Sequence, residues 1–503
     1  MEISLISPYS ALFNNGLRTI SAVLKNAGFK TKMFFLPMPS ADSGWNASPF
    51  SFIKYPEILL NELKELTGNS QIIGLSLMDN YLDVGIDITN KLKRNDNLII
   101  WGGALTTLNP ELGLKYADCV CIGDGEYALL KLAQMVNLKN ITPIPNIYFR
   151  QKDFPELQCV DDLAKLPPPD YGPSEHYVYV EAEDDLLPLK NFDDYQLFFQ
   201  KAPDPNTGKL SYIYRMETSR GCPHNCTYCV NNILKKMQSP KMRFKSIIQI
   251  ETELNLVKEN MPFVTSVSVE DDCFMARRDL KELAALFKHF GYTYRCLISP
   301  VDFKEDLMNE LVERGLIVCH MGLQSAHSRI VEMYRRTDIN RNSELVLKYF
   351  KDKEPQVKLF IDILVDNPWE KIEETLYTLS FLLKSMPKRA ALGINSLVFY
   401  FGTELWRRAK KENRLEDNFF LKTWHWHRQK TIRYTTVLFV LLKFHFPRTI
   451  IKILASKLFV YIFERRVFTS FFIPKLLYVI KRLQILKKPK SLQRKPKLAT
   501  MNG

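Results

Sequence analysis

The sequence predicts an α/β protein in three parts. A Rossmann-like parallel sheet spans residues 1–165, a partial (β/α)6 barrel spans residues 211–420, and a basic helical tail spans residues 421–503, with residues 166–210 as a linker. Three observations predict this. Short apolar runs alternate with amphipathic stretches in the first part, the pattern of a parallel sheet with helical crossovers. Six further strand–helix repeats follow, enough for a partial or complete parallel barrel. From Leu421 onward, 19 lysines and arginines stand against one acid, Glu464, a net +18 beside −4 for the rest of the chain.

Composition bounds the class. At roughly 150 residues per domain, 503 residues suggest about three domains. A chain that is 46% hydrophobic and 25% charged is neither disordered nor collagen-like. Nine cysteines are too few for a disulfide scaffold of this length. Met1 leads into Glu2-Ile3-Ser4-Leu5-Ile6 with no basic leader, and no apolar run reaches about 18 residues. The expected compartment is the reducing cytoplasm.

In the first part the candidate strands are Ile3–Ile6, Lys32–Leu36, Ile72–Leu77, Leu98–Trp101 and Cys119–Ile122, with helices at Leu17–Ala27 and Tyr55–Leu66. Ligands of such sheets bind beyond the carboxyl ends of the strands. Gly102-Gly103 and Gly123-Asp124-Gly125-Glu126 fall there, suited to close approach of a ligand or simply to tight turns. Leu166-Pro167-Pro168-Pro169-Asp170 reads as a stiff boundary, and the acidic stretch with Glu181, Glu183, Asp184 and Asp185 as loop. The barrel strands are Tyr212–Glu217, Ser266–Glu270, Tyr294–Ile298, Ile317–Met321, Lys358–Leu364 and Gly393–Phe399. Helices are expected at Ile247–Lys258, Leu280–His289, Lys304–Glu313 and Ile372–Leu383.

Directly after the first barrel strand comes Ser219-Arg220-Gly221-Cys222-Pro223-His224-Asn225-Cys226-Thr227-Tyr228-Cys229. Thiolates are the preferred ligands of iron–sulfur clusters, and C-x3-C-x2-C lets one loop hold three irons of a cluster. The next cysteine is Cys273, so a fourth iron would stay open to a ligand. A zinc site with His224 as fourth ligand and a structural thiol cluster are the competing readings, the first cramped by the position of His224 between two cysteines.

With these residues the sequence resembles the radical S-adenosylmethionine superfamily, in the branch with an N-terminal cobalamin-binding domain. The resemblance runs from Met1 to Glu412. It implies that Cys222, Cys226 and Cys229 hold a 4Fe–4S cluster, with Tyr228 against the adenine of S-adenosylmethionine. Family-like stretches follow in order: Val269-Glu270-Asp271-Asp272-Cys273-Phe274, Gly322-Leu323-Gln324-Ser325, Asp362-Ile363-Leu364-Val365-Asp366-Asn367-Pro368-Trp369-Glu370 and Gly402-Thr403. Polar groups at the carboxyl ends of barrel strands face the site. Glu270 and Asp272 are therefore expected at the cofactor's ammonium, and Gln324 and Ser325 at its ribose or carboxylate. The implied chemistry is reductive cleavage to a 5′-deoxyadenosyl radical, which takes hydrogen from an unactivated carbon.

The resemblance also assigns cobalamin to the first part, through Pro8, Asn15-Gly16-Leu17, Gly74-Leu75-Ser76, Gly102-Gly103 and Gly123-Asp124-Gly125-Glu126. The contacts expected are Gly16, Leu17, Ser76, Gly102, Gly103, Gly123, Gly125 and Glu126. One departure stands out: no histidine precedes His176, so the Asp-x-His-x-x-Gly motif that ligates cobalt is missing. Cobalamin would lack an axial imidazole from this domain, or the domain would serve packing alone.

Beyond Trp424-His425-Trp426-His427 the tail carries apolar runs at Val437–Leu442, Ile450–Leu454, Leu458–Phe463, Phe471–Ile473 and Leu476–Ile480. Arg448, Lys452 and Ser456 recur every four residues, and Arg448–Arg465 reads as one amphipathic helix with a wide apolar arc. Such a helix suits an anionic membrane surface, making the protein peripheral on the inner face. It also suits packing against the open side of the barrel. Nucleic acid is disfavoured, because the apolar face has no use in a groove. Lys487 to Lys497 reads as a polar, basic terminus.

The expected function is cobalamin-dependent radical C-methylation of an unactivated carbon in a small-molecule or lipid-like substrate, with an electron donor such as flavodoxin or ferredoxin. Competing readings are radical cyclisation or rearrangement, RNA modification, and a non-catalytic cobalamin or redox sensor.

Overall fold

The computed structural model describes residues 1–8, 12–36, 55–78, 81–137, 143–150, 152–180, 185–237, 239, 241–353, 356–415 and 433–465. In the first unit, β1 (Glu2–Ser7), β2 (Lys30–Phe35), β3 (Ile72–Ser76), β4 (Leu98–Gly102) and β5 (Cys119–Cys121) form a parallel sheet. β6 (Ile147–Phe149) runs antiparallel at one edge; β7 (His176–Val180) adds parallel to β2, and β8 (Asp185–Pro188) antiparallel to β7. The order is β6-β5-β4-β3-β1-β2-β7-β8. Strand order reverses between β1 and β3, and there the carboxyl ends leave a crevice.

The helix Asn15–Asn26 starts where the Asn14 side chain accepts the Leu17 N–H. It lays Leu17 and Leu24 on the sheet and turns Val23 toward Val160, Leu163 and Leu166. Glu57–Leu66 and Leu82–Leu92 cover the other face through Leu59, Leu63, Val84 and Ile88.

The second unit is a sheet in the order β17-β16-β15-β14-β13-β10-β9. Six strands run parallel in chain order: β10 (Leu210–Met216), β13 (Val264–Val269), β14 (Thr293–Ile298), β15 (Leu316–Gln324), β16 (Lys358–Val365) and β17 (Ala391–Ser396). β9 (Lys201–Pro203) is an antiparallel edge on β10. β17 and β9 do not pair, so the sheet is a curled half-barrel. A two-stranded ribbon, β11 (Ser219–Arg220) with β12 (Arg243–Phe244), flanks the cysteine loop.

Two expectations are corrected. The stretch 166–210 is more than a linker: β7 and β8 extend the first sheet, a helix spans Phe192–Phe198, and β9 extends the second sheet. The alternating burial of His176-Tyr177-Val178-Tyr179-Val180 marks a strand, but the neighbouring acids mask it in the sequence. Asp185 opens β8 rather than lying in loop, while Glu181, Glu183 and Asp184 lie outside the described residues. Arg448–Arg465 is not one helix: Arg448–Leu454 and Lys457–Phe463 are separated at Ser456, whose backbone is extended (φ −65°, ψ 153°). Ser456 takes the N-cap position of the second helix without a side-chain cap bond.

The helix Tyr434–Lys443 packs on Ile372–Ser385 and on the edge strand β17 of the half-barrel. Val437, Leu438, Phe439 and Leu442 join a core that runs through Tyr214 and Val267 back to Tyr171 and Ile3. Trp424-His425-Trp426-His427, Phe471–Ile473, Leu476–Ile480 and Lys487–Lys497 lie outside the described residues.

Candidate active site

The cysteine loop is pinned at its start by one carboxylate that sequence reasoning missed. Asp271 Oδ1 accepts the N–H groups of Thr218 (2.6 Å) and Ser219 (2.9 Å), and Oδ2 accepts both hydroxyls (2.5 and 2.7 Å). Asp271 is fully buried, and four hydrogen bonds compensate its desolvation. Gly221 then turns with φ +96°, a left-handed conformation that glycine adopts without strain. Cys226 to Cys229 forms a tight turn, with the Cys229 N–H donating to the Cys226 carbonyl at 3.1 Å. Thr227 Oγ1 donates to the Met333 carbonyl at 2.8 Å, tying the loop to the barrel.

Cys226 is buried, while Cys222 and Cys229 are half-buried. A second missed residue, Arg336, places Nη1 3.4 Å from Cys226 Sγ and 3.4 Å from Tyr228 Oη. Arg336 is itself buried and oriented by Asn340 Oδ1 at 3.1 Å. A guanidinium here offsets negative charge on the sulfur. A hydrogen bond with Cys273 lowers the Cys222 thiol, whereas burial pushes Cys229 up to about 12. The loop thus carries the donor set of a three-thiolate cluster site, with Arg336 beside it. His224 does not complete a zinc site with the three cysteines; its Nε2 lies 3.8 Å from Cys273 Sγ and 3.4 Å from Ser299 Oγ.

The residues expected at S-adenosylmethionine divide. Tyr228 packs edge-on to Tyr334, with ring centroids 5.1 Å apart. Glu270 is exposed at the strand end, accepting from Ser268 Oγ at 2.6 Å and facing Arg215 at 3.2 Å. Gln324 has φ +66° at a register shift between β15 and β16, and its buried Oε1 has no partner among the described residues. Strain and an orphaned acceptor together mark a ligand-facing position. Ser325 instead serves the turn: it is buried, bonds Thr378 Oγ1 at 3.1 Å, and accepts the His327 N–H at 3.2 Å.

All eight residues expected at cobalamin line one cavity of about 300 Å³ between the two units: Gly16, Leu17, Ser76, Gly102, Gly103, Gly123, Gly125 and Glu126. Asp272, Glu217, Arg220, Gly221, Leu234 and Arg243 face them from the barrel side. At Gly16 and Gly102 a Cβ would meet nothing closer than 3.7 Å, while Gly103 and Gly125 let their loops pack closely on the wall behind. A Cβ on Gly103 would lie 2.6 Å from the Leu77 carbonyl oxygen, and one on Gly125 would meet Ile20 at 3.0 Å. Glu126 Oε2 is buried with no partner among the described residues, an acceptor suited to an amide-fringed ligand. The lining contains no histidine, in keeping with the missing axial motif. These small residues and open acceptors fit a broad, amide-bearing group.

Residues 216–379 match the Radical SAM superfamily and residues 2–133 match the B12 binding domain. The cytidylyl-2-hydroxyethylphosphonate methyltransferase of Streptomyces wedmorensis is 23% identical over 74% of this chain and 75% of its own length. The bacteriochlorophyllide d C-8(2)-methyltransferase of Chlorobaculum tepidum is 21% identical over 57% of this chain and 56% of its own. Among solved structures, the radical S-adenosylmethionine methyltransferase TsrM of Kitasatospora setae, with cobalamin and a 4Fe–4S cluster bound, superposes with a TM-score of 0.63 at 14% identity. That likeness covers 82% of this chain and 78% of TsrM. The cobalamin-dependent enzyme OxsB gives 0.55 at 14% identity, covering 83% of this chain and 56% of OxsB. The chain is an enzyme of the radical S-adenosylmethionine superfamily, in the branch that carries an N-terminal B12-binding domain and uses a 4Fe–4S cluster, S-adenosylmethionine and cobalamin.

Proposed function

We propose that this enzyme C-methylates an unactivated carbon of a small organic substrate. The observation that carries the reading is the shared cavity, where the glycine loops of the first unit face Arg220-Gly221, immediately before Cys222, and Asp272. Cys222, Cys226 and Cys229 would hold the cluster. Gln324, Glu270 and Tyr228 would contact S-adenosylmethionine, and Gly16, Leu17, Ser76, Gly102, Gly103, Gly123, Gly125 and Glu126 would contact cobalamin. When bound, the cluster supplies an electron to S-adenosylmethionine and cobalamin carries a methyl group. The chain's own part is positional. Asp271 fixes the cysteine loop, Arg336 offsets charge at Cys226, and the buried interface between the units excludes water.

A lipid-like substrate and a peripheral membrane seat draw support from the tail, where Ile453, Leu458 and Tyr461 are 61%, 66% and 68% exposed beside Lys452 and Lys457. No described helix is long and apolar enough to cross a membrane. A flavodoxin- or ferredoxin-type donor is the proposed electron source.

The test is oxygen-free purification after growth with cobalamin. Expected are stoichiometric cobalamin, a broad iron–sulfur absorption, and reductive formation of 5′-deoxyadenosine that the Cys226→Ala variant lacks. A variant that still forms 5′-deoxyadenosine overturns the cluster assignment. A wild-type enzyme without cobalamin overturns methyl transfer.

A further inference from the structure

The inner face of the half-barrel carries charge that the cofactor site does not use. Tyr294, Cys296 and Ile298 of β14 are buried against the helices, so Arg295 and Leu297 face inward. By the same alternation Lys358, Phe360 and Asp362 face inward on β16, since Leu359, Ile361 and Ile363 are buried. Pairing register stacks these residues in rows. Arg295, Val318 and Lys358 share one row; Leu297, His320 and Phe360 the next; Gly322 and Asp362 one nearer the carboxyl ends. His320 lies flat on Phe360, with ring centroids 4.6 Å apart at 11°, and Lys358 Nζ sits 5.2 Å from the Phe360 centroid.

Arg295 is the anomaly. Its Nε and Nη2 are buried, and neither finds an acceptor among the described residues. Burial holds its guanidinium below the ordinary value, with Asp204 the nearby acid opposing that shift. Asp204 Oδ1 accepts the N–H groups of Asn206 and Thr207 at 2.8 and 2.9 Å, and neither orphaned nitrogen of Arg295 hydrogen-bonds to its carboxylate. Glu270 faces Arg215, and Asp362 Oδ1 takes Asn395 Nδ2 at 3.4 Å. Two orphaned donors in a planar fork call for a two-oxygen acceptor, and a buried cation is costly until it has one.

We propose that the floor of the half-barrel anchors the anionic end of the substrate, a carboxylate or phosphoryl group, on Arg295 with Lys358 as the second cation. The apolar body lies along Leu297, Phe360 and His320. From the Val318 row to the Gly322 row is four residues, roughly 13 Å at about 3.3 Å each. A substrate anchored at Arg295 must span about that distance to reach the carboxyl ends of the strands, where Gln324 and the cysteine loop lie, which selects an elongated, acid-headed molecule. This deepens the methyl-transfer reading and rests on it for the use of the lumen as a reaction chamber.

The experiment is oxygen-free calorimetric titration of the holoenzyme with octyl phosphate, phenylphosphonate, inorganic phosphate and octanol. Expected is saturable binding of the two organic acids at one site and at least tenfold weaker binding of octanol. Arg295→Met should weaken the acids at least tenfold, with Arg295→Lys in between. Without ligand, Arg295→Met should melt no lower than wild type, because it removes an unpaired buried charge. Tighter octyl phosphate than phenylphosphonate is the result expected of an elongated substrate; the reverse overturns that length assignment. Inorganic phosphate binding as tightly as either overturns the substrate anchor, as does undiminished acid binding by Arg295→Met. S-adenosylmethionine cleavage by the wild type is followed in parallel. Cleavage without acid binding overturns this inference alone, and acid binding without cleavage overturns the methyl-transfer reading alone.

Discussion

Arg220 Nη2 donates to Glu126 Oε1 at 2.7 Å, joining the residue two before Cys222 to the glycine loop of the other unit. The same guanidinium reaches Glu217 at 2.9 Å and Asp124 at 3.4 Å, and Arg243 also pairs with Asp124 while donating to the Val160 carbonyl at 2.8 Å. The side chains of Arg220 and Glu126 are only 12% and 3% exposed. The spacing between cluster loop and cobalamin cavity is thus set by buried ion pairs rather than by a flexible hinge. Removing one partner leaves carboxylates uncompensated, so Arg220→Ala should cost about 3–5 kcal/mol. Urea unfolding without oxygen checks the cost, and cobalamin retained after desalting should fall in step. The Arg220→Met/Glu126→Gln double variant should recover part of the stability.

Gly103 tests the cavity wall. Its φ is +94°, and an added Cβ would press on both the nitrogen (2.9 Å) and the oxygen (2.6 Å) of Leu77. Gly28 has a similar φ of +84° but nothing within 4 Å. Gly28→Ala should cost about 1–2 kcal/mol from backbone strain alone. Gly103→Ala should cost more and also lower cobalamin retention, read by thermal melting and by absorbance after gel filtration.

The first unit should be acid-sensitive through His176. Burial holds its imidazole down at about 4, assisted by the charges of Arg18 and Lys25 against the pull of Asp170, and Tyr195 Oη bonds Nδ1. Above pH 6.5 the ring is neutral folded or unfolded, and nothing is lost. Between pH 6.5 and about 4 the unfolded chain takes up a proton that the folded chain refuses, so stability falls as pH falls. The loss approaches about 3 kcal/mol, complete below the folded value. Asp170 adds a loss of the same sign at lower pH, because His176 and Lys25 hold its carboxyl below its ordinary range despite burial. Unfolding midpoints from pH 7.5 to 4 check this, and His176→Gln should flatten the first slope.

The tail separates a structural from a surface role. Phe439 is buried against the barrel, so Phe439→Ala should cost about 3–5 kcal/mol. Ile453→Ser with Leu458→Ser should change stability by less than about 1 kcal/mol. The same pair should abolish co-flotation with anionic vesicles; unchanged flotation removes the membrane seat proposed for these helices.

Much of this architecture was legible because parallel strands buried on both faces read as apolar runs, and all six barrel strands fall within a few residues of their sequence positions. The cavity residues were picked out by the family resemblance, since strand-end glycines taken alone suit tight turns as well as ligand approach. Asp271 was not, since an acid flanked by Glu270 and Asp272 gives no sign of which one turns inward. Arg336 was equally hidden, 107 residues after Cys229 and joined to the loop only by the curl of the sheet. Ser325 shows the converse: a hydroxyl at a strand end carries no sign in the sequence of the bond it makes to Thr378.

The edge strands β7 and β8 also govern how the chain becomes a protein. Arg18, fully buried near the amino terminus, stacks 3.9 Å from the ring centroid of Tyr171 and donates to the carbonyl of Asp170. Tyr195 closes the same nest beside His176. During synthesis these partners emerge about 150 residues after the arginine, at roughly 5–20 residues per second. For roughly ten seconds the growing amino-terminal segment holds this cation with only the Leu12 carbonyl and the Phe35 ring beside it. A cut at residue 165 would remove Asp170, Tyr171 and Tyr195 from around Arg18 and strip β7 and β8 from the first sheet, so an amino-terminal fragment that keeps this nest must run through Phe198.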